Sequence, residues 1–333
     1  MTKAIPTMAS SEAKPPGQQR SYPEPSSTGK VPFTIPGTDI KAETAYWLWG
    51  KLDSSNSKVP LICMHGGPGI PHGYLLPISL LHVDLGIPVL MYDQVGCGKS
   101  TRFKDKKGDV EFWTPQLFMA ELDNLKHNLG IKTFDLAGQS WGGMLGGQYA
   151  ITQPPGLRKL LILDSPASMI LWAKVTGKQR AALPKHVQEV LDRCEKEGKT
   201  DTKEYEEAVE HFYHLHLCRV DPFPKELVES LEAVAEDNTV YHTMNGPSEF
   251  TVIGSLKSWT IEDGLRNITQ RTVPGGMLIV NGYFDEAADE CVMPFFNNVQ
   301  CKVKWVQFGL SSHVPQLEET ERFMEVIGQF LTS

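Results

Sequence analysis

The sequence predicts an α/β fold: a mostly parallel sheet with helices on both faces and an inserted helical cap. Three observations predict it. First, short apolar runs at residues 59–64, 88–92, 133–137 and 159–163 each end in a Gly- or Asp-rich turn. Strands buried on both faces of a parallel sheet read this way, because neither side of such a strand meets water. Second, helical stretches at 115–129 and 141–152 fall between those runs, and strand–helix alternation is the pattern of a doubly wound sheet. Third, near Leu171 the rhythm gives way to helical periodicity that lasts to about Ser258, after which strands return.

Taken in order, residues 1–28 hold five prolines and almost no large apolar side chains, so they are expected to form a disordered tail with little to bury. Residues 31–35 and 44–51 read as an opening pair of strands, and 29–170 as the first part of the core. The cap, 171–258, contains helical patterns at 185–197, 203–217 and 224–235. Pro224 suits a first helical turn, where a missing N–H costs nothing. The second part of the core, 259–333, has strands at 276–281 and 302–308 and a closing helix at 319–331.

The chain has 333 residues, 41% hydrophobic and 22% charged, an ordinary globular composition able to bury a large core. Its net charge of −8 argues against a nucleic-acid partner, which calls for a basic patch or stripe. No apolar run approaches the roughly 18 residues of a membrane helix, and the N-terminus lacks the charged-then-apolar signal pattern. Six dispersed cysteines, with no C-x-x-C pair, read as free or buried thiols of a reducing compartment. The expectation is a cytoplasmic protein.

The sharpest motif is Gly138-Gln139-Ser140-Trp141-Gly142. It lies between a predicted strand and a predicted helix, the context in which G-x-S-x-G forms a strained elbow that exposes a nucleophilic serine. A second motif, His65-Gly66-Gly67-Pro68-Gly69, ends the strand at 59–64. Acyl transfer needs two preorganised N–H donors for the developing oxyanion. Trp141, the residue after the nucleophile, supplies one. Gly67 supplies the other, since Pro68 has no N–H. His65 is read as a brace for its loop.

The acid and the base should follow the serine in that order. Of ten histidines, His313 alone sits in a loop between the last strand and the last helix. Asp285, after the strand at 276–281, is the favoured acid, and Asp164, after the strand at 159–163, is the alternative.

Other patterns carry less. Asp93-Gln94-Val95-Gly96-Cys97-Gly98-Lys99-Ser100 lacks phosphate-loop spacing and reads as a supporting turn. Cys97 has no base near it in sequence. His211, His214, His216 and Cys218 suggest a metal set on paper, yet His216 leaves the helix face that His211 and His214 share, so they read as cap packing. The chemistry calls for no metal and no cofactor.

With these residues placed, the sequence resembles the proline iminopeptidase family of α/β-hydrolases, in particular the branch of tricorn-associated aminopeptidases and L-amino-acid amidases. The resemblance spans about 31–332. It rests on the two glycine motifs, the segment 92–100, and Tyr241-His242-Thr243-Met244-Asn245-Gly246-Pro247-Ser248-Glu249-Phe250 in the cap. Ser248, where the branch has Asn, and Ser311-Ser312 before the base depart from the pattern. The resemblance implies that Glu249 and Glu286 hold the substrate's α-ammonium. It also implies a serine aminopeptidase that releases an N-terminal residue, often proline, from short peptides or amino-acid amides. Two other readings stand beside it: an esterase, lactonase, amidase or acyl-transfer enzyme acting on a specialised metabolite, and a noncatalytic binding protein on a hydrolase scaffold.

Overall fold

The computed structural model describes residues 13–52 and 58–333. The strands are β1 (Ser27–Thr34), β2 (Lys41–Trp49), β3 (Leu61–Met64), β4 (Val89–Tyr92), β5 (Phe134–Gln139), β6 (Leu157–Leu163), β7 (Met277–Gly282) and β8 (Val303–Phe308). They form one sheet in the order β1-β2-β4-β3-β5-β6-β7-β8. The β1–β2 and β2–β4 pairs are antiparallel, and every pair from β4 to β8 is parallel. β4 lies on one side of β3 and β5 on the other, so the winding reverses there. The loops after β3 and β5 therefore diverge and open a crevice at the carboxyl ends of the strands.

The alternation along each strand makes two cores. Leu136, Leu160, Ile162 and Ile279 belong to one face, with α2 (Pro115–Asn128), α3 (Trp141–Ile151) and α9 (Asp289–Asn298). Ala137, Leu161, Leu278 and Val280 belong to the other, with α1 (Leu80–Leu85) and α11 (Thr320–Thr332). α2 begins where Thr114 caps it by accepting the Leu117 N–H at 3.3 Å, with Pro115 in the first turn. Its buried Leu117, Phe118, Leu122 and Leu125 form one stripe at helical spacing.

The cap comprises α4 (Met169–Ala181), α5 (Lys185–Glu197), α6 (Lys203–His216), α7 (Lys225–Glu236) and α8 (Thr239–Met244). α5 and α6 share a small core of their own, built on Val187, Leu191, Tyr205, Val209 and Phe212 and closed by Phe250. Pro224 caps α7 rather than entering its first turn, and its carbonyl accepts from the Leu227 and Val228 N–H groups. Among the described residues no helix is long and apolar enough to cross a membrane.

The N-terminal segment departs from the expectation of a disordered tail. Residues 1–12 lie outside the described residues, but 13–26 run along the body. The Gly17 N–H donates to the Glu318 carbonyl at 2.8 Å, and Trp49 Nε1 donates to the Pro23 carbonyl at 2.8 Å. Arg20 makes a two-pronged pair with Asp84 at 2.8 and 2.6 Å. Apolar content did not reveal this segment because it is held by polar contacts, and its prolines lower the entropy lost on ordering.

Candidate active site

The candidate triad and oxyanion residues each follow the carboxyl end of a parallel strand. Ser140 follows β5 with φ 54° and ψ −123°, a strained conformation for a residue with a Cβ. Glycines permit the turn: a Cβ on Gly138 would lie 2.1 Å from the Gly142 carbonyl oxygen, and one on Gly142 would lie 2.2 Å from that of Met64. The Ser140 N–H is tied to the Leu163 carbonyl at 2.9 Å. Trp141 opens α3, where the first N–H groups lack intrahelical acceptors. Its indole donates to Gln94 Oε1 at 2.9 Å.

Gly67 follows β3 at φ 107°, and it lines the cavity beside Ser140. The neighbouring Gly66 N–H donates to the Tyr74 hydroxyl at 2.7 Å, which donates in turn to Gln139 Oε1 at 2.6 Å. His65 is fully buried, and its Nε2 accepts the Gln94 N–H at 2.9 Å. Burial lowers its pKa to about 4, so it is neutral. The turn 93–100 thereby braces both glycine motifs through Gln94. Cys97, without a base nearby in sequence, lies 3.6 Å from His65 Nε2 in space. Burial holds its thiol well above its ordinary pKa, and that nitrogen is already engaged by Gln94, so the pair does not form a thiolate.

His313 follows β8 and Asp285 follows β7. His313 Nδ1 donates to Asp285 Oδ1 at 2.7 Å, and the same oxygen accepts the Ala287 N–H at 2.8 Å. Both side chains are buried. Gln179 of α4 donates to the Asp285 carbonyl at 2.8 Å, and Gln139 of the elbow donates to the His313 carbonyl at 2.8 Å. Asp164 also lies here, buried beside Asp285. His313 and Ser140 line one cavity of about 840 Å³. A serine at a strained elbow, an imidazole fixed by a carboxylate and N–H groups at a helix start can together carry out acyl transfer.

Glu249 from the cap lines that cavity, and Tyr241 donates to its Oε1 at 2.7 Å. Glu286 is buried with its Oε1 3.6 Å from His313 Nε2, and neither of its oxygens accepts a hydrogen bond from the described residues. Burial raises the pKa of both carboxyls, and for Glu286 the charges of Glu249 and Asp285 add to it. Like carboxyls buried near one another in this way are suited to a cationic ligand group. Val209 and Tyr213 of α6 and Leu227, Val228 and Leu231 of α7 add large apolar side chains to the same lining.

The histidine run in the cap disperses. His211 meets the His186 ring, His214 meets Phe223, and His216 donates from Nδ1 to the Phe284 carbonyl at 2.8 Å. Among the described residues no group of three or more His, Cys, Asp or Glu gathers as a metal set would. The two departures from the family pattern both have partners. Ser311 and Ser312 donate to Glu319 and Glu318 at 2.8 and 2.9 Å, and Tyr205 reaches Ser248 at 3.3 Å. Sequence reasoning missed Gln179, Glu318 and Glu319, whose roles depend on contacts far along the chain. Tyr241 was within reach, at the head of the cap segment already singled out.

A family model for the α/β-hydrolase fold matches residues 59–320. A proline iminopeptidase of Heyndrickxia coagulans is 35% identical over 85% of this chain and 94% of its own length. One of Thermoplasma volcanium is 32% identical over 88% and 95%. Among solved structures, VinJ is 45% identical with a TM-score of 0.85, covering 92% of this chain and 99% of VinJ. The Mycobacterium smegmatis proline iminopeptidase is 40% identical with a TM-score of 0.81, covering 92% and 98%. The chain belongs to the α/β-hydrolase fold and, within it, to the proline iminopeptidase family of hydrolases.

Proposed function

We propose that this protein is a serine aminopeptidase that releases the N-terminal residue, proline among them, from short peptides or amino-acid amides. Ser140 attacks the carbonyl of the first residue while His313 takes its proton. The N–H groups of Gly67 and Trp141 hold the oxyanion. His313 returns the proton to the departing amine, and Asp285 orients the imidazole and stabilises its charged form. Water, activated by the same histidine, then releases the acyl group from Ser140. The six free cysteines fit a reducing compartment, and we place the enzyme in the cytoplasm.

The observation that carries the reading is the pair Glu249 and Glu286. A carboxylate pair buried next to a nucleophile is costly unless a cation comes to it, and an α-ammonium is the cation that a peptide's first residue brings. Glu286 adjoins Asp285 in the chain, which would fix the ammonium one residue's reach from Ser140 and exclude internal peptide bonds. The size of the cavity and the large apolar side chains in its lining favour a second substrate class, an amine-bearing small metabolite whose leaving group is apolar. The test compares an aminoacyl arylamide with its N-acetylated form. The reading predicts that acetylation abolishes most of kcat/KM, and equal cleavage of the two would refute it.

A further inference from the structure

We propose that Asp164 is a positioning residue: its carboxyl stays neutral at the end of β6 and donates its proton to Asp285 Oδ2, holding the carboxylate that faces His313. This rests on the assignment of Asp285 and His313 made above.

The geometry begins with the sheet. β6 and β7 pair in parallel with Leu163 opposite Val280, and the Asp164 N–H donates to the Val280 carbonyl at 2.8 Å. The residues just beyond the two strands are thereby brought together. Asp164 adopts φ 49°, in the left-handed region that Asp and Asn tolerate better than most residues. Its side chain is completely buried beside that of Asp285, and neither of its oxygens has a hydrogen-bond partner among the described residues.

The contact poses a question of protons. Asp285 Oδ1 already accepts from His313 and Ala287, whereas Asp285 Oδ2 and both Asp164 oxygens meet no donor among the described residues. Two carboxyls can hydrogen-bond only if one of them carries a proton. Asp285 has two N–H donors stabilising its ionised form. Asp164 is opposed instead by the charges of Asp285 and of Glu318 on α10 (Pro315–Glu318), and the Gly282 amide, which makes no hydrogen bond to it, works only weakly the other way. Burial first, and then the Asp285 charge, push the Asp164 carboxyl well above the ordinary carboxylate range. The proton therefore resides on Asp164. This also accounts for two acids at a site whose chemistry needs one: Asp285 accepts from the imidazole, and Asp164 holds Asp285 from behind.

The experiment uses two variants that tolerate the backbone. Asp164→Asn keeps a donor toward Asp285, and Asp164→Gly removes it while accepting positive φ. Glycine should cost roughly 10²-fold in kcat with KM little changed, as for a misplaced catalytic group. Asparagine should recover most of that loss. The acid limb of the kcat/KM–pH profile should not move in Asp164→Asn, because one neutral group replaces another. An ionised Asp164 would favour the imidazolium, so its removal would shift that limb toward lower pH by about one unit or more. Such a shift, an Asp164→Asn variant as inactive as Asp164→Gly, or a glycine variant with full kcat would each overturn the proposal. Should the glycine variant fail to fold, the position of the acid limb in Asp164→Asn still decides. An active Asp285→Asn enzyme would instead refute the underlying assignment of the acid.

Discussion

The backbone N–H of His313 donates to the carbonyl of Leu217 at 3.1 Å, so the histidine loop hangs on the cap as well as on the sheet. Around that bond the cap segment 216–219 is stitched to the core. Glu286 donates from its backbone to the His216 carbonyl at 3.2 Å, and the Arg219 N–H donates to Glu318 Oε1 at 2.7 Å. Glu318 also accepts the Ser312 N–H at 2.8 Å and the Ser312 hydroxyl at 2.9 Å. At this end the cap is part of the site's framework.

A stability prediction follows for Glu318. Glu318→Ala would leave several buried donors without an acceptor, each costing about 1–3 kcal/mol. A loss of at least about 3 kcal/mol in urea unfolding is expected, with kcat falling more than KM rises. An Ala variant of unchanged stability would show that these bonds do not hold the loop.

Substrate binding should release a proton. Burial raises the pKa of both Glu249 and Glu286, the charges of Glu249 and Asp285 raise that of Glu286 further, and an ammonium beside them lowers both again. Calorimetry of a product amino acid in buffers of different ionisation enthalpy should therefore show net proton release at neutral pH. Proton uptake, or none, would contradict the arrangement.

Glu121 makes a separate test of pH and stability. It is buried, accepts the Thr44 hydroxyl at 2.5 Å and the Val95 N–H at 2.9 Å, and burial raises its pKa to about 8. The folded state then keeps a proton that the unfolded chain gives up near pH 4.5. The contribution is complete below that pH and is lost as pH rises through about 8. The stability of Glu121→Gln should thus improve relative to wild type between pH 5 and 8, by on the order of a few kcal/mol. A difference that stays constant across this range would mean that Glu121 is ionised throughout.

Residues 13–26 should contribute measurably to stability. A chain beginning at residue 27 loses the Arg20–Asp84 pair and the bonds to Trp49 and Glu318. It also removes the Ala13 carbonyl that accepts from Arg219. A lower Tm is expected, with reduced kcat because Arg219 also anchors the Leu310 carbonyl ahead of His313. An unchanged Tm would show the segment to be ornamental.

Much of this site was legible because its chemistry is local. The elbow needs glycines within a few residues of Ser140, and Asp285 and His313 each follow a short apolar run. The cap helices at 185–197 and 203–217 showed their amphipathic period, and α5 and α6 fall there. α9 escaped notice because Pro294 lies inside it. The pairing of Arg219 with Glu318 escaped for another reason: the two are 99 residues apart, and nothing in either neighbourhood signals the other. Asp164 was visible only as a rival to Asp285, since a chain pattern cannot show that two acids share one proton.

The most direct test of the amine anchor uses the same two substrates on three proteins. Wild type, Glu249→Gln and Glu286→Gln would each be assayed on a free-amine arylamide and on a small neutral ester. Removing one partner of a buried charge pair costs about 2–5 kcal/mol, so each variant should lose roughly 30-fold or more in kcat/KM on the arylamide. The ester, which brings no ammonium, should be hydrolysed about equally by all three. Parallel losses on both substrates, or no loss on the arylamide, would contradict the claim that Glu249 and Glu286 select a free N-terminus.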